Sequence, residues 1–297
     1  TPALIIGAFV ERIKFSAMLI FISMWMLIVY VPVTHWVWGG GILSSWGTMD
    51  FAGGIVVHAT AGTAALVTAL TLGKRRGFPK SITPPHSPIL TMIGAAMLWV
   101  GWFGFNAGSS LGANGSAGMS MLVTHISAST AALVWMFIEW KRFGKPSLIG
   151  VVTGMVAGLA TVTPASGYIG IPGGLILGFS GGLLCYLAVD YIRGKLLIDD
   201  SLDVFAVHGV GGILGTLLVA FLATSTFSGL GLPEGQTAMS QFVVQIKAVI
   251  LTVIWTSIFT YLILKVTSLI VPLRVDEQEE IEGLDLRSHG EKGYHSD

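Results

Sequence analysis

The chain has 297 residues, of which 53% are hydrophobic and 11% charged, and its mean hydropathy is +0.78. Soluble domains carry about 25% charged residues, so this composition indicates a membrane protein. The formal net charge is zero, and without a long basic stretch we expect no nucleic-acid partner. The single cysteine, Cys185, excludes an internal disulfide and a cysteine-based zinc site.

Apolar stretches of about 20 residues, the length that crosses a bilayer, predict eight membrane-spanning helices. These stretches cover residues 15–33, 51–72, 89–105, 117–140, 148–162, 172–191, 204–223 and 242–271. A further apolar stretch at 3–10 is too short to span a bilayer. Because the chain opens at Thr1 without a methionine and runs straight into this stretch, we expect that an upstream part is missing.

Basic residues occupy every second connection between the predicted spans, and the remaining connections carry none. They are Arg12, Lys14, Lys74, Arg75, Arg76, Lys80, Lys141, Arg142, Lys145, Arg193 and Lys195. The positive-inside rule predicts that these connections, and the tail after the last span, are cytoplasmic. Lys247 is the exception, and its stem is long enough to snorkel from the last span to the outer interface. Trp36, Trp38 and Trp46 crowd one outer loop, as aromatic-belt residues do.

Two histidines predicted near the middle of the membrane each follow an acidic residue at the start of a span. His58 comes eight residues after Asp50, about 12 Å along a helix. His208 comes five residues after Asp203, on a span that runs in the opposite direction. The strings DFAGGIVVH and DVFAVHGVGG therefore predict an inverted repeat, in which matching residues of two helices form a site near the midplane.

Each of these residues has a structural interpretation beside the functional one. An aspartate at a helix N-terminus caps free amides, which suffices to explain Asp50 and Asp203. A histidine at bilayer depth also serves as a polar link between helices, and spacing alone leaves both interpretations of His58 and His208 open. For His125, which has no acidic partner and no repeat mate, the structural interpretation is favoured.

Seven motifs give the sequence a family resemblance. They are ERIKFSA, VWGGG, DFAGGIVVH, GWFGFNAGS, VTPASGYIG, DVFAVHGVGGI and GLDLRSHGEKGY, in that order along the whole chain. The chain thereby resembles the Amt/MEP/Rh ammonium transporters, the bacterial Amt branch most closely. The resemblance implies an all-α polytopic membrane protein with a fold of eleven transmembrane helices in two inverted repeats. About eight full helices and the end of another are then present, and the N-terminal quarter is absent.

By this resemblance, His58 and His208 form the hydrogen-bonded pair that lines the pore, and Trp102 borders it. Phe105 is one of two stacked phenylalanines that gate the pore. Trp38 and Ser109 match the outer site that recognises the cation. Asp50 matches the aspartate that organises this site and is also connected with a proton path, whereas Asp203 is interpreted as structural. Two positions depart from the family pattern, His125 and Gly293, and neither belongs to the pore.

These assignments predict an ammonium transporter rather than an enzyme. An indole face attracts a cation, and a serine hydroxyl accepts a hydrogen bond that ammonium can donate and potassium cannot. Beyond the gate, a bare cation would bear a large desolvation cost in apolar walls, so we expect deprotonation and passage of NH3. Two adjacent imidazoles can also relay a proton, so the charge stoichiometry stays open.

The expected partners and setting follow from the same resemblance. Residues 1–272 are interpreted as the pore domain and 273–297 as a cytoplasmic regulatory tail, which the sequence alone would describe as soluble and disordered. A homotrimer in the cell membrane, methylammonium as a further substrate and control by a cytoplasmic PII signalling protein are expected, with no cofactor and no metal. An ammonium sensor of the same fold is the alternative. An intramembrane metalloenzyme built on the two histidines is a weaker one, since no HExxH motif is present.

Overall fold

The structure is a computed structural model that describes residues 1–81 and 84–294. Its first half contains α1 (Pro2–Ile6), α2 (Phe15–Trp25), α3 (Val31–Trp38), α4 (Ile42–Ser45) and α5 (Thr60–Leu72). The second half contains α6 (Pro88–Ala107), α7 (Gly115–Phe143), α8 (Leu148–Val162), α9 (Ile171–Gly194), α10 (Gly211–Leu222) and α11 (Ala238–Ile270). The tail forms α12 (Glu277–Glu282) and α13 (Leu284–His289).

Every predicted span lies on a helix. When the π-helical segments Met26–Tyr30, Gly54–Ala59 and Phe205–Val210 are counted with the α-helices that they adjoin, seven helices within residues 1–81 and 84–294 are long and apolar enough to cross a membrane. The expectation of an all-α polytopic protein is therefore confirmed. The exception in length is α8, whose 15 residues rise about 22 Å, less than the hydrocarbon core. Much of α8 is buried against α7, α9 and α10, so the irregular backbone after Val162 lies against protein rather than lipid.

The two histidine helices start in the same unusual way. Gly54–Ala59, which precedes α5, and Phe205–Val210, which precedes α10, are both π-helical segments of six residues. Short π-helical turns are rare and occur preferentially at functional sites. His58 is the fifth residue of the first segment and His208 the fourth of the second, so the inverted repeat expected from the sequence is visible in the local backbone.

Glycines let these two helices approach closely enough for their histidines to meet. Gly62 and Gly212 each lie four residues after a histidine. A Cβ added at Gly212 would lie 2.5 Å from the Cβ of His58, and one added at Gly62 would collide with the backbone of Gly209. The crossing therefore requires glycine at both positions, because any side chain would separate the histidine helices.

The connections predicted to be cytoplasmic lie at one end of the bundle, here called the basic end, and ion pairs join them. Arg75 bonds Asp199 bidentately and also pairs with Glu11. Burial alone would raise the pKa of Asp199, but its hydrogen bonds from Arg75 lower it below the usual value. Arg12 is fully buried and donates to the Asp199 carbonyl and the Ser201 hydroxyl. This network holds the loop before α10 against the loop after α5.

The tail folds back onto the basic end, whereas the sequence alone favoured a disordered segment. Asp276 and Glu279 form a capping box at the start of α12. Glu280 accepts hydrogen bonds from the Arg76 amide and the Arg274 guanidinium. The His289 ring packs edge-on against Phe15, with ring centroids 5.0 Å apart. These contacts give the tail a docked position on its own chain.

Candidate functional site

The two histidines predicted to line a pore are in direct contact. The Nδ1 atoms of His58 and His208 lie 3.2 Å apart, and the imidazole rings are nearly parallel, 14° apart with centroids at 5.2 Å. His58 is 1% exposed and His208 8% exposed. The Nε2 atom of His58 is buried and has no hydrogen-bond partner within residues 1–81 and 84–294. A polar atom in this state is available to a small hydrogen-bonding guest.

Aromatic rings of α6 cover this histidine pair. The Trp102 ring stacks on His58 at 5.3 Å and 16°, and lies 6.4 Å from His208 at 5°. The Trp102 indole N–H donates to the Thr163 hydroxyl, which fixes the ring plane. Phe105 lies 6.1 Å from His58 and 5.6 Å from Trp102, so the residue expected as a gate adjoins the pair. The result is an apolar aromatic enclosure with few polar atoms.

Asp50 and Trp38 form a second cluster before the first histidine helix. The Asp50 carboxylate accepts four backbone N–H groups, from Gly53 and Gly54 at one oxygen and from Ile55 and Val56 at the other. The Asp50 carbonyl accepts the Trp38 indole N–H at 2.8 Å. Asp50 is 4% exposed. It therefore starts the His58 helix and holds the tryptophan in place, while its own carboxylate is occupied by the backbone.

Ser109 follows α6 and stands one helical turn beyond Phe105. Its hydroxyl donates to the Phe105 carbonyl at 2.9 Å. A hydroxyl that donates its hydrogen bond to the backbone keeps its oxygen lone pairs free to accept one from a solute. Trp38 is 45% exposed, so its indole face is open to a solute. The two residues expected to recognise a cation thus offer an acceptor and a π face.

The structure corrects the interpretation of Asp203 as a helix cap. Its backbone has φ +56°, and its carboxylate pairs with Arg193 at 3.1 Å. Burial raises the pKa of Asp203 to about 7, although Arg193 lowers it. The cap is Asp200 instead, whose Oδ2 accepts the backbone N–H of Phe205 at 2.6 Å. Asp200 is the repeat partner of Asp50.

The sequence carried a signal for Asp200 that was missed. Asp50 precedes His58 by eight positions, and Asp200 precedes His208 by the same eight. The run DDSLD offers three aspartates, and proximity to the predicted span favours Asp203 over Asp200. His125 lies outside the histidine pair, stacked on Trp99 with centroids 5.1 Å apart. Its structural interpretation stays a prediction.

Comparison with known proteins identifies the family. The model of the Ammonium Transporter Family matches residues 1–294. An ammonium transporter of Aquifex aeolicus is 48% identical over 295 residues, which cover 99% of this chain and 68% of that protein. Ammonium transporter Amt1 of Archaeoglobus fulgidus is 45% identical over 295 residues, covering 99% of this chain and 74% of its own. These relatives are named transporters, in agreement with the expectation that the protein is not an enzyme.

Solved structures agree with the sequence relatives. A structure described as a Sensor Amt Protein superimposes with a TM-score of 0.90 at 30% identity, over 97% of this chain and 73% of that one. Mep2 of Saccharomyces cerevisiae superimposes with a TM-score of 0.80 at 36% identity, over 93% of this chain and 66% of its own. The fold and the sequence together show that this chain is a multi-pass membrane protein and belongs to the Ammonium Transporter Family.

Proposed function

We propose that this protein transports ammonium across a membrane and passes it as NH3 along an apolar pore lined by His58 and His208. The observation that carries the proposal is the buried pair of imidazoles, joined at 3.2 Å and enclosed by Trp102 and Phe105. Transferring a bare cation into such surroundings costs far more than transferring a neutral molecule. Ammonia needs only a few hydrogen bonds, and the unpartnered Nε2 of His58 offers one.

The Trp38 face and the Ser109 hydroxyl are proposed as the outer recognition site. A cation over an indole gains about 0.5–2 kcal/mol, depending on its desolvation. Ammonium additionally donates a hydrogen bond to Ser109, which potassium cannot do. Phe105 then separates this site from the histidines. The ammonium proton passes to water at the outer mouth and is relayed by the two imidazoles, so net charge crosses while the neutral molecule passes as NH3. Asp50 supports the site through its carbonyl bond to Trp38.

The remaining assignments rest on family membership and on the basic end of the bundle. Residues 1–272 are proposed as the pore domain and 273–297 as the regulatory tail, with the basic end and the tail in the cytoplasm. The assembly is proposed to be a homotrimer in the cell membrane. A cytoplasmic PII protein is the proposed regulator, and methylammonium the proposed second substrate.

An ammonium sensor of the same fold is the second candidate, because one structure of high similarity is described as a sensor. Ammonium uptake distinguishes the two. The protein is expressed in cells that lack their own ammonium carriers, and growth on limiting ammonium is compared with that of cells carrying the empty vector. Purified protein in liposomes is then tested for ammonium-driven current against potassium. Restored growth supports transport, whereas ammonium binding without uptake or current contradicts it.

A further inference from the structure

The segment between α4 and the first histidine helix has almost no secondary structure of its own. Residues 48–50 belong to no helix, strand or turn, Gly47 has φ +76°, and Met49 is 5% exposed. A buried backbone outside helices and strands must find hydrogen-bond partners elsewhere, because unpaired buried backbone groups are costly. This segment also carries Asp50, which bonds the Trp38 indole. Its partners therefore influence the recognition site.

The side chain of Gln245, on α11, supplies these partners for Met49. Its Oε1 accepts the Met49 amide at 2.9 Å, and its Nε2 donates to the Met49 carbonyl at 2.7 Å. One side-chain amide thus pairs with both backbone groups of one residue, as a neighbouring strand would. Nε2 also donates to the Thr216 carbonyl of α10, at 2.9 Å. Gln245 is fully buried.

A second glutamine keeps the first in register. Gln241 lies one helical turn before Gln245 and is also fully buried. Its Nε2 donates to the Gly47 carbonyl at 3.0 Å and to Gln245 Oε1 at 3.2 Å. The second bond favours the amide orientation in which Oε1 of Gln245 faces the Met49 N–H. The two glutamines therefore hold residues 47–49 at two points.

We infer that Gln245 is a positioning residue for ammonium recognition at Trp38. It fixes Met49, the neighbour of Asp50, and Asp50 fixes the indole through its carbonyl and the His58 helix through its carboxylate. The inference rests on the proposed function of Trp38 as the recognition residue. It assigns to α11 a part in substrate selection, although Gln245 itself touches no substrate. Asp50 keeps four backbone amides of its own at the start of the His58 helix, so we expect the histidine pair to stay in place without Gln245.

The test compares apparent affinity with maximal rate. In liposomes holding the full chain, Gln245→Leu is expected to raise the ammonium concentration for half-maximal current about tenfold, since it leaves both Met49 groups unpaired. Maximal current at saturating ammonium is expected to stay near that of the unmodified protein. Gln245→Glu, which keeps the acceptor for the Met49 N–H and loses both donors, should give a rise of the same direction. An unchanged half-maximal concentration in the assembled variants overturns the inference.

A double-mutant cycle separates positioning from general destabilisation. If Gln245 acts through Trp38, then in a Trp38→Leu background Gln245→Leu should raise the ammonium concentration for half-maximal current by less than about twofold. Equal effects in both backgrounds overturn the inference. Thr260→Val is the matched control, because it removes a buried hydrogen bond of α11 with Trp25 about 22 Å further along the helix. Thr260→Val should leave the ammonium concentration for half-maximal current unchanged. A tenfold rise of that concentration in this control would also overturn the inference.

The same measurements separate this inference from the proposed function. If Trp38→Leu alone leaves the half-maximal concentration unchanged, the recognition site itself is wrong and the role of Gln245 falls with it. If Trp38→Leu raises that concentration and Gln245→Leu does not, the proposed function stands and the positioning role alone is wrong.

Discussion

The Nδ1 atoms of His58 and His208 face each other at 3.2 Å. Two neutral imidazoles in this contact share one proton, so one Nδ1 donates and the other accepts. In the ring whose Nδ1 donates, Nε2 is unprotonated and can accept a hydrogen bond. In the other ring, Nε2 is protonated and can donate one. The pair consequently presents one acceptor and one donor at any moment, and exchange of tautomers in both rings reverses their order. A guest that both donates and accepts hydrogen bonds, as ammonia does, fits this pair in either state.

The shared proton leads to a prediction about single and double histidine variants. His58→Ala and His208→Ala should each lower ammonium transport by about ten- to a hundredfold, because each removes a buried partner of the other ring. The double variant should be no worse than about the more impaired single variant, since both changes destroy the same contact. Transport is measured as ammonium current in liposomes. Wild-type rate and selectivity against potassium in either single variant would show that the histidine is only a helix link.

The glycine crossing gives a prediction about packing. Gly212→Ala should lower the stability of the solubilised protein by about 1–3 kcal/mol and reduce transport, because its Cβ would lie 2.5 Å from that of His58. Gly118→Ala on α7 is the matched control, since its added Cβ would lie more than 4 Å from every described heavy atom beyond the adjoining backbone of its own helix. Its effect should be neutral or stabilising by about 0.5–1 kcal/mol. Thermal unfolding measures both. A harmless Gly212→Ala would mean that the two helices separate easily.

The two repeat-related aspartates predict unequal effects of asparagine. Asp50 bonds two backbone amides with each carboxylate oxygen, and asparagine would turn an NH2 group toward one of these pairs. Asp50→Asn should therefore cost about 3 kcal/mol or more in stability and nearly abolish current. Asp200 accepts the Phe205 amide through one oxygen, so Asp200→Asn should cost less than about 1 kcal/mol. Unfolding and current are compared in parallel. Equal losses in the two variants would contradict the difference in bonding.

The contrast between these aspartates also shows where sequence reasoning succeeds and fails. The spans that carry the histidines can be recognised from the sequence, because each is an apolar stretch long enough to cross a bilayer. All eight predicted spans lie on helices in the structure. For the cap of the second histidine helix the sequence favours Asp203, because it is the aspartate nearest to the span. Its left-handed backbone turns it away toward Arg193, and this depends on the path of the loop.

The role of Gln245 was beyond the reach of sequence patterns. A glutamine within an apolar span has no local partner to indicate its purpose, and its contacts with Met49 join residues 196 positions apart. Only the folded chain brings the backbone of residues 47–49 against α11. By contrast, Trp102, Phe105 and both histidines were predicted as pore residues, and the structure brings these four rings together.

The docked tail gives the last prediction, which concerns Arg274 at the end of the bundle. Its guanidinium donates to the carbonyls of Leu72 and Lys74 and to Glu280, so it joins the end of α5 to the tail. Arg274→Ala should leave the bundle folded. A glutamate-specific protease should cleave residues 276–290 of this variant about tenfold faster, because detaching the tail then costs less free energy. Arg287→Ala is the control, since Arg287 is largely exposed and lies 3.7 Å from Glu282. It should leave the cleavage rate nearly unchanged. Equal acceleration by both variants would show that charge alone, and not the anchoring of the tail to α5, sets the rate of opening.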